Sequence, residues 1–460
     1  MENILPKGWV ETDLDTVIER MSNGSSLKQY EEFFEGSLPI SRIETIANET
    51  IDFNRVKYVD ANESEIEKYE LLDGDILFSH INSDKHLGKT AFFQNEETLL
   101  HGINLLLLRS SNVVNSEFIY LVLRDLRYSG KFIEVAQRSV NQSSINQKKL
   151  KAFRIPLPPR AEQHRIVAKV DALMTQYAAI QQAMERIPPL LKDFRQQVLT
   201  QAVTGKLTEE WRVGKELGEW EMKSSNKVFS FITSGSRGWA KYYSPSGTQL
   251  FVRITNMNFG TFHLDLSLNK LQFLELPENN EGKRTLLKVN DILISITGDV
   301  GMVSLIQGDF TFEAYVNQHV CLARPNNSND AKFISYYLMS KEGFGQFESK
   351  KRGATKSGLT LGDIRSLTIN IPDLLEQQEI VRRVESLFEK ATAIEQRYEQ
   401  LKEQIDTLPQ SILHKAFKGE LVEQLASDGS AVELLEEIKK LKLNSNLKGE
   451  IKSKSKIKAN

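Results

Sequence analysis

The sequence predicts a mixed α/β (α+β) chain in which two related globular domains are separated by two long helical segments that pair as an antiparallel coiled coil. Three observations carry that prediction: a repeat at a fixed offset, a heptad rhythm inside each repeat, and strand-and-turn patterning in the intervening stretches. The length agrees, because 460 residues exceed one ordinary hydrophobic core.

The repeat comes first. Glu162-Gln163-His164-Arg165-Ile166-Val167 returns as Glu376-Gln377-Gln378-Glu379-Ile380-Val381, and Gly205-Lys206-Leu207 returns as Gly419-Glu420-Leu421, both displaced by 214 residues. Weaker matches lie upstream in the same order. Asp73-Gly74-Asp75-Ile76-Leu77-Phe78-Ser79 faces Val289-Asn290-Asp291-Ile292-Leu293-Ile294-Ser295, and Phe153-Arg154-Ile155-Pro156-Leu157-Pro158 faces Leu367-Thr368-Ile369-Asn370-Ile371-Pro372. Two copies of one module, related by a pseudo-two-fold axis, explain this most simply. The expected divisions are a globular domain at 1–157, a helical region at 158–206, a linker at 207–219, a second globular domain at 220–372, a second helical region at 373–424, and a C-terminal helix with a basic tail at 425–460.

Within the helical regions, apolar residues alternate by four and three: Ile166, Val170, Leu173, Tyr177, Ile180, Met184 and Ile187, then Ile380, Val384, Leu387, Ala391, Ile394, Tyr398, Leu401, Ile405 and Leu408. That period of 3.5 marks a coiled-coil seam. Pro188-Pro189 and Pro409 divide each region into a long helix and a short one, the first short helix running from Leu190 to Val203; Gly205 and Gly419 end them. At 1.5 Å per residue the seams span ~32 and ~42 Å, close to the ~34–36 Å of one DNA turn. The same helices could simply hold the chain together or form a homodimer.

Residues 1–157 and 220–372 read as short strands and turns with a helix at Phe118–Leu126 and at Phe333–Leu338. Each carries a polar stretch with cations just before its last strand. In the first domain this is Arg138, Asn141, Gln142, Ser143, Ser144 and Asn146; in the second it is Lys350, Lys351, Arg352, Thr355 and Lys356. Arg and Lys hold phosphates, while hydroxyls and amides address phosphates or base edges. Further candidates are His80, Lys85 and Lys89 after a strand expected at Leu71–Phe78, and Arg237, Lys241, Tyr242 and Tyr243 in a glycine-rich run followed by Arg253, Asn256 and Asn258.

Catalytic patterns are missing. Gly88-Lys89-Thr90 lacks the first glycine of a phosphate-binding loop, no Asp/Asn-Pro-Pro-Tyr/Phe sequence is present, and the seven histidines lack metal-ligand spacing. Asp75 and Asp291 sit in turns before strands, a setting for local hydrogen bonds. The single Cys321 excludes a disulfide framework, and no apolar run approaches the ~20 residues a membrane helix needs. A cytoplasmic chain without a membrane partner is therefore expected. A net charge of −2 hides local cationic clusters.

Over essentially its whole length the chain resembles the DNA-specificity subunit of type I restriction-modification systems. The resemblance rests on Leu157-Pro158-Pro159-Arg160-Ala161-Glu162-Gln163, on the run from Val198 to Thr208, on Ile371-Pro372 with Glu376-Gln377-Gln378, and on Ser411 to Leu421. Asp373-Leu374 departs from the first copy, which has a second proline there. The resemblance implies a non-catalytic subunit that reads two half-sites of double-stranded DNA across a fixed spacer, one with each target-recognition domain. It also implies two modification subunits, which bind S-adenosylmethionine and methylate adenine, and two restriction subunits, which use ATP and Mg; this chain itself holds no cofactor or metal. A coiled-coil adaptor with two protein-binding domains is the competing reading.

Overall fold

The computed structural model describes residues 5–94, 97–139, 142–277, 281–308, 310–353 and 358–457. The chain divides into two compact units: unit 1 combines residues 1–182 with 402–460, and unit 2 is residues 183–401. The main helices are α1 (Ser116–Tyr128), α2 (Arg160–Glu185), α3 (Ile187–Val203), α4 (Ala331–Met339), α5 (Leu374–Asp406), α6 (Leu408–Phe417) and α7 (Ala431–Ile457).

Unit 1 is organised by a four-stranded antiparallel sheet of β1 (Ile18–Asn23), β2 (Ile76–Phe78), β3 (Thr90–Phe92) and β4 (Leu106–Ser110), in the order β1-β4-β2-β3. The Leu105–Leu108 run is wholly buried because successive side chains point to opposite faces and both faces are covered. Leu106 and Leu108 join Ile76, Phe78 and Phe118 in one core; Leu105 and Leu107 join Leu77, Ala91 and Phe93 in another. The expected strand Leu71–Phe78 is shorter than predicted, because the Asp75 side chain accepts from Leu72 N (2.8 Å) and closes a turn.

Unit 2 repeats this plan. Its sheet holds β5 (Phe229–Ser234), β6 (Ile292–Ser295), β7 (Val303–Leu305) and β8 (Val320–Pro325), in the matching order β5-β8-β6-β7. Register irregularities fall at Ile18/Arg20 and Phe229/Phe231, equivalent places in β1 and β5. A two-stranded ladder closes each domain on itself: Val10–Asp13 pairs with Arg154–Leu157, and Glu221–Ser224 pairs with Thr368–Ile371. The domains differ in their insertions. Unit 1 adds a three-stranded sheet of Ile81–Asn82, Gln137–Ser139 and Gln142–Ser144, whereas unit 2 adds a second four-stranded sheet containing Gln249–Val252 and Glu313–Val316.

The short helices exchange places between the two copies of the repeat. In unit 1, α6 packs on α1: Phe417 lies edge-on to Phe118 at 5.5 Å, Leu413 and Ala416 enter the core, and Gln410 Nε2 donates to Tyr128 O (3.3 Å). In unit 2, α3 packs on α4 in the same way, with Val198, Leu199, Ala202 and Val203 buried and Gln196 Nε2 donating to Met339 O (3.4 Å). Each unit therefore takes its short helix from the other half of the sequence. α3 begins at Ile187, not Leu190, because Pro188 and Pro189 occupy the first turn, where backbone N–H groups have no intrahelical acceptor to lose. α7 continues to Ile457, through most of the segment expected as a basic tail.

The seam residues divide by depth. Ile166 and Val170, with Val167, belong to the unit 1 core; Ile380 and Val384, with Val381, belong to the unit 2 core. The first turns of α2 and α5 are thus faces of their own domains rather than coiled-coil positions. Leu173, Tyr177, Met184, Leu387, Tyr398, Leu401 and Ile405 are half-buried, while Ile180 (42%) and Ile394 (53%) are exposed.

Candidate nucleic-acid interface

In both units, four chain segments gather at one end of the main sheet. In unit 1, β1 ends at Asn23 opposite Leu106 and β2 ends at Phe78 opposite Leu106, so their following turns emerge together. Ser25 bridges Gly102, with Ser25 N donating to His101 O (2.7 Å), and Ile145 N donates to His80 O (2.9 Å). The turn after β1, the residues before β4, the turn after β2 and the hairpin at 137–146 thus form one cluster.

Unit 2 reproduces these contacts. Ser236 bridges Asn317, Thr297 bridges Gly358, and Leu359 N donates to Ile296 O (2.8 Å). Gly24 and Gly235 hold equivalent positions for one steric reason: a Cβ on Gly24 would stand 2.1 Å from Gly102 O, and on Gly235 1.8 Å from Val316 O. Gly235 therefore admits the chain's own backbone rather than a ligand's.

The cluster unites Arg237 with Arg352 and Lys351 in unit 2. Arg237 is exposed, and among the described residues no acid pairs with it. Arg352 reaches Asp363 (3.1 Å) yet keeps 76% of its side chain exposed, and Lys351 pairs with Glu348 (3.3 Å). Lys350 is half-buried at the end of the preceding helix. Trp239 anchors the glycine-rich run by stacking on Phe251 (5.6 Å) and meeting Tyr315 edge-on (5.8 Å), which leaves Lys241 and Tyr243 exposed while Tyr242 is half-buried against the same cluster; Lys241 lies over the Tyr242 ring at 4.8 Å. Asn141, Thr355 and Lys356 lie outside the described residues.

In unit 1 the hairpin presents Arg138 and Gln142 at the surface, and Arg138 pairs loosely with Asp84 (3.7 Å). Several other candidates have structural duties instead. Ser143 is buried and donates to Asp84; Ser144 pairs with Ile81 in the small sheet; Asn146 caps the helix Gln147–Lys151 by accepting from Lys149 N (2.9 Å). Burial pushes the His80 imidazole below its ordinary pKa, which favours its neutral form, and among the described residues its Nδ1 has no partner.

Asn256 is fully buried, accepting from Arg253 N and donating to the carbonyls of Asp265 and Lys270, and Arg253 itself donates to Lys270 O (3.2 Å). Both organise a loop: Asn256 is wholly occupied there, while Arg253 is half-buried. Asn258 lines a different groove, with Gln196, Phe259 and Phe344. Lys85 and Lys89 line a cleft with Arg124 and Arg127, and Lys89 Nζ donates to Ala47 O.

Sequence reasoning missed the segments preceding β4 and β8. These place exposed Ile103 and Asn104 in unit 1, and Asn317, Gln318 and His319 in unit 2, where Thr297 Oγ1 and His319 Nδ1 are 2.6 Å apart. Extending the repeat offset through the buried strands would have aligned them.

Beneath each cluster the frame is duplicated side chain by side chain. Asp75 takes two hydrogen bonds from Arg109 (2.7 and 2.6 Å), and Asp291 takes two from Arg324 (2.6 and 2.7 Å). Trp9 Nε1 donates to Glu162 (2.9 Å), as Trp220 Nε1 does to Glu376 (3.2 Å). Gln163 and Gln377 each accept the N–H of the residue before α1 or α4 and donate to Pro158 O or Pro372 O.

The two units are thus copies of one α/β domain, each presenting the same loop cluster. The chain belongs to the type I restriction modification DNA specificity domain family, whose model matches residues 6–188 and 219–403. It is 30% identical over 423 residues to the putative type I restriction enzyme MjaX specificity subunit of Methanocaldococcus jannaschii, covering 91% of this chain and 94% of that protein. It is 29% identical over 463 residues to the type I restriction enzyme EcoKI specificity subunit of Escherichia coli K12, covering 95% and 96%. The fold is that of the HsdS subunit from Thermoanaerobacter tengcongensis, with a TM-score of 0.59 at 19% identity over 90% of this chain and 98% of that one. Among the described residues no helix is long and apolar enough to cross a membrane.

Proposed function

We propose that this chain is the DNA-reading subunit of a type I restriction-modification enzyme and reads a bipartite duplex target, one half-site per unit. The duplicated long helices, paired as an antiparallel coiled coil, set the length of the unread spacer. The observation that carries this reading is the second occurrence of the four-segment cluster, with equivalent backbone contacts, at the same end of an equivalent sheet. Exposed Arg138, Arg237 and Arg352 supply phosphate contacts, and the polar groups beside them address base edges.

Chemistry is left to the partners. Two modification subunits bind S-adenosylmethionine and methylate adenine, two restriction subunits use ATP and Mg to cleave DNA, and the assembly works in the cytoplasm. The test is selection from a random duplex library by the chain together with its modification subunit. Enrichment of two short motifs at a fixed separation is expected; recovery of unenriched sequence overturns the reading.

A further inference from the structure

Unit 1 contains a cleft of about 420 Å³ between the 47–50 turn, the 85–89 turn and the outer face of α1. Its lining is strongly cationic: Lys85, Lys89, Arg124 and Arg127 surround one carboxylate, that of Glu49. Glu49 sits in the left-handed region with φ of +62°, a conformation that a non-glycine residue adopts rarely and that collects at functional positions. The strained turn aims its carboxylate at the cations. Arg127 donates to Oε1, and Tyr128 OH donates to Oε2 (3.2 Å). Tyr120 OH holds the turn by donating to the Glu49 carbonyl (3.3 Å).

One carboxylate satisfies this cradle incompletely. Arg124 Nε is buried and has no hydrogen bond among the described residues, the nearest Glu49 oxygen standing 3.5 Å away, and Arg124 is fixed by Tyr128 OH (3.0 Å) and the Tyr120 ring (5.5 Å). Desolvation, together with the charges of Lys89 and Lys85, holds His86 at the rim below its ordinary pKa. A phosphate group brings more acceptor oxygens and close to twice the charge of a carboxylate, and arginine forks recognise it well.

We propose that this cleft is a phosphate-binding site whose occupant competes with the Glu49 carboxylate for Arg124, Arg127 and Tyr128. Glu49 acts as a tethered substitute: it keeps the arginines placed and sets a threshold that a phosphate must exceed. Free phosphate and a phosphate of the DNA backbone share this recognition chemistry.

The test is thermal unfolding of the full chain in sodium phosphate and in sodium chloride of equal ionic strength, with no duplex present. Its outcome is thus separate from that of the DNA-reading proposal. Glu49→Gln removes the competing charge, so phosphate at about tenfold its Kd should raise the Tm of this variant by ~3 °C more than chloride does, with little selective rise for wild type. Glu49→Asp, which tolerates the left-handed backbone and shortens the carboxylate, should respond between the two and serves if Glu49→Gln folds poorly. Adding Arg127→Met to Glu49→Gln should abolish the selective response.

A phosphate effect equal in wild type and Glu49→Gln, or one surviving Arg127→Met, overturns the site, because phosphate stabilises proteins generally by exclusion from their surfaces. Given the selective response, the source follows from anisotropy titrations with a nonspecific duplex. Severalfold tighter binding by Glu49→Gln, reversed by free phosphate, assigns the site to the DNA backbone; unchanged duplex affinity assigns it to free phosphate or a phosphomonoester.

Discussion

Glu162 shows how one residue joins a sequence signal to a physical role that the sequence conceals. Its recurrence as Glu376 was legible from the repeat offset alone. Its partner was not legible, because Trp9 lies 153 residues away and only the fold brings the indole to 2.9 Å. Burial raises the Glu162 carboxyl pKa above its ordinary value, outweighing the Trp9 hydrogen bond and the Arg165 charge. A carboxyl raised by folding contributes stability below its unfolded pKa and loses it as pH rises through the folded one. Glu162→Gln, which keeps an acceptor for the indole, should therefore gain on wild type as pH goes from 4 to 7. Glu162→Ala should cost about 1–3 kcal/mol by orphaning Trp9 Nε1. Denaturant midpoints across that range check both; a Gln-minus-wild-type difference that stays flat contradicts the sign. On the DNA-reading proposal, Arg237 is the cleanest cation to remove, since no acid competes for it among the described residues. Arg237→Ala should weaken duplex binding and lower the salt-dependence slope by about 1, and an unchanged slope clears it.

At the scale of elements, the prolines and glycines located the breaks between long and short helices, and the heptad count located the long ones. Which domain each helix serves was not legible. Periodicity reports that a stripe is apolar, not what covers it, and the same stripe in α2 begins as domain core at Ile166 and Val170 before becoming half-exposed beyond Leu173. The exchange of α3 and α6 was invisible for the same reason: their buried faces are similar, so nothing in either marks its host. Leu413 is fully buried against unit 1 although it belongs to the second repeat. Leu413→Ala should destabilise unit 1 by about 2–5 kcal/mol, lowering amide-exchange protection along α1 while leaving α4 protected. The mirror change, Leu199→Ala, should do the reverse. Equal loss in α1 and α4 from Leu413→Ala would show that the units do not unfold separately.

For the whole molecule, the DNA-reading proposal is compatible with a net charge of −2 because Arg138, Arg237 and Arg352 are exposed at the two loop clusters, while acids of the frame are consumed internally, as Asp75, Asp291 and Glu376 are. On that proposal the two units differ where their insertions differ, so each can diverge in sequence preference while the shared frame keeps its contacts. If the long helices fix the distance between half-sites, then helix length and spacer length are one variable. Inserting seven residues between Leu173 and Met184 preserves the heptad phase and adds about 10 Å along the axis, near the rise of three base pairs at about 3.4 Å each. The enzyme assembled on that variant should methylate the same two half-sites separated by a spacer longer by about three base pairs. Methylation sequencing of a host carrying it reads the spacer directly, and an unchanged separation would mean that something other than these helices measures the DNA.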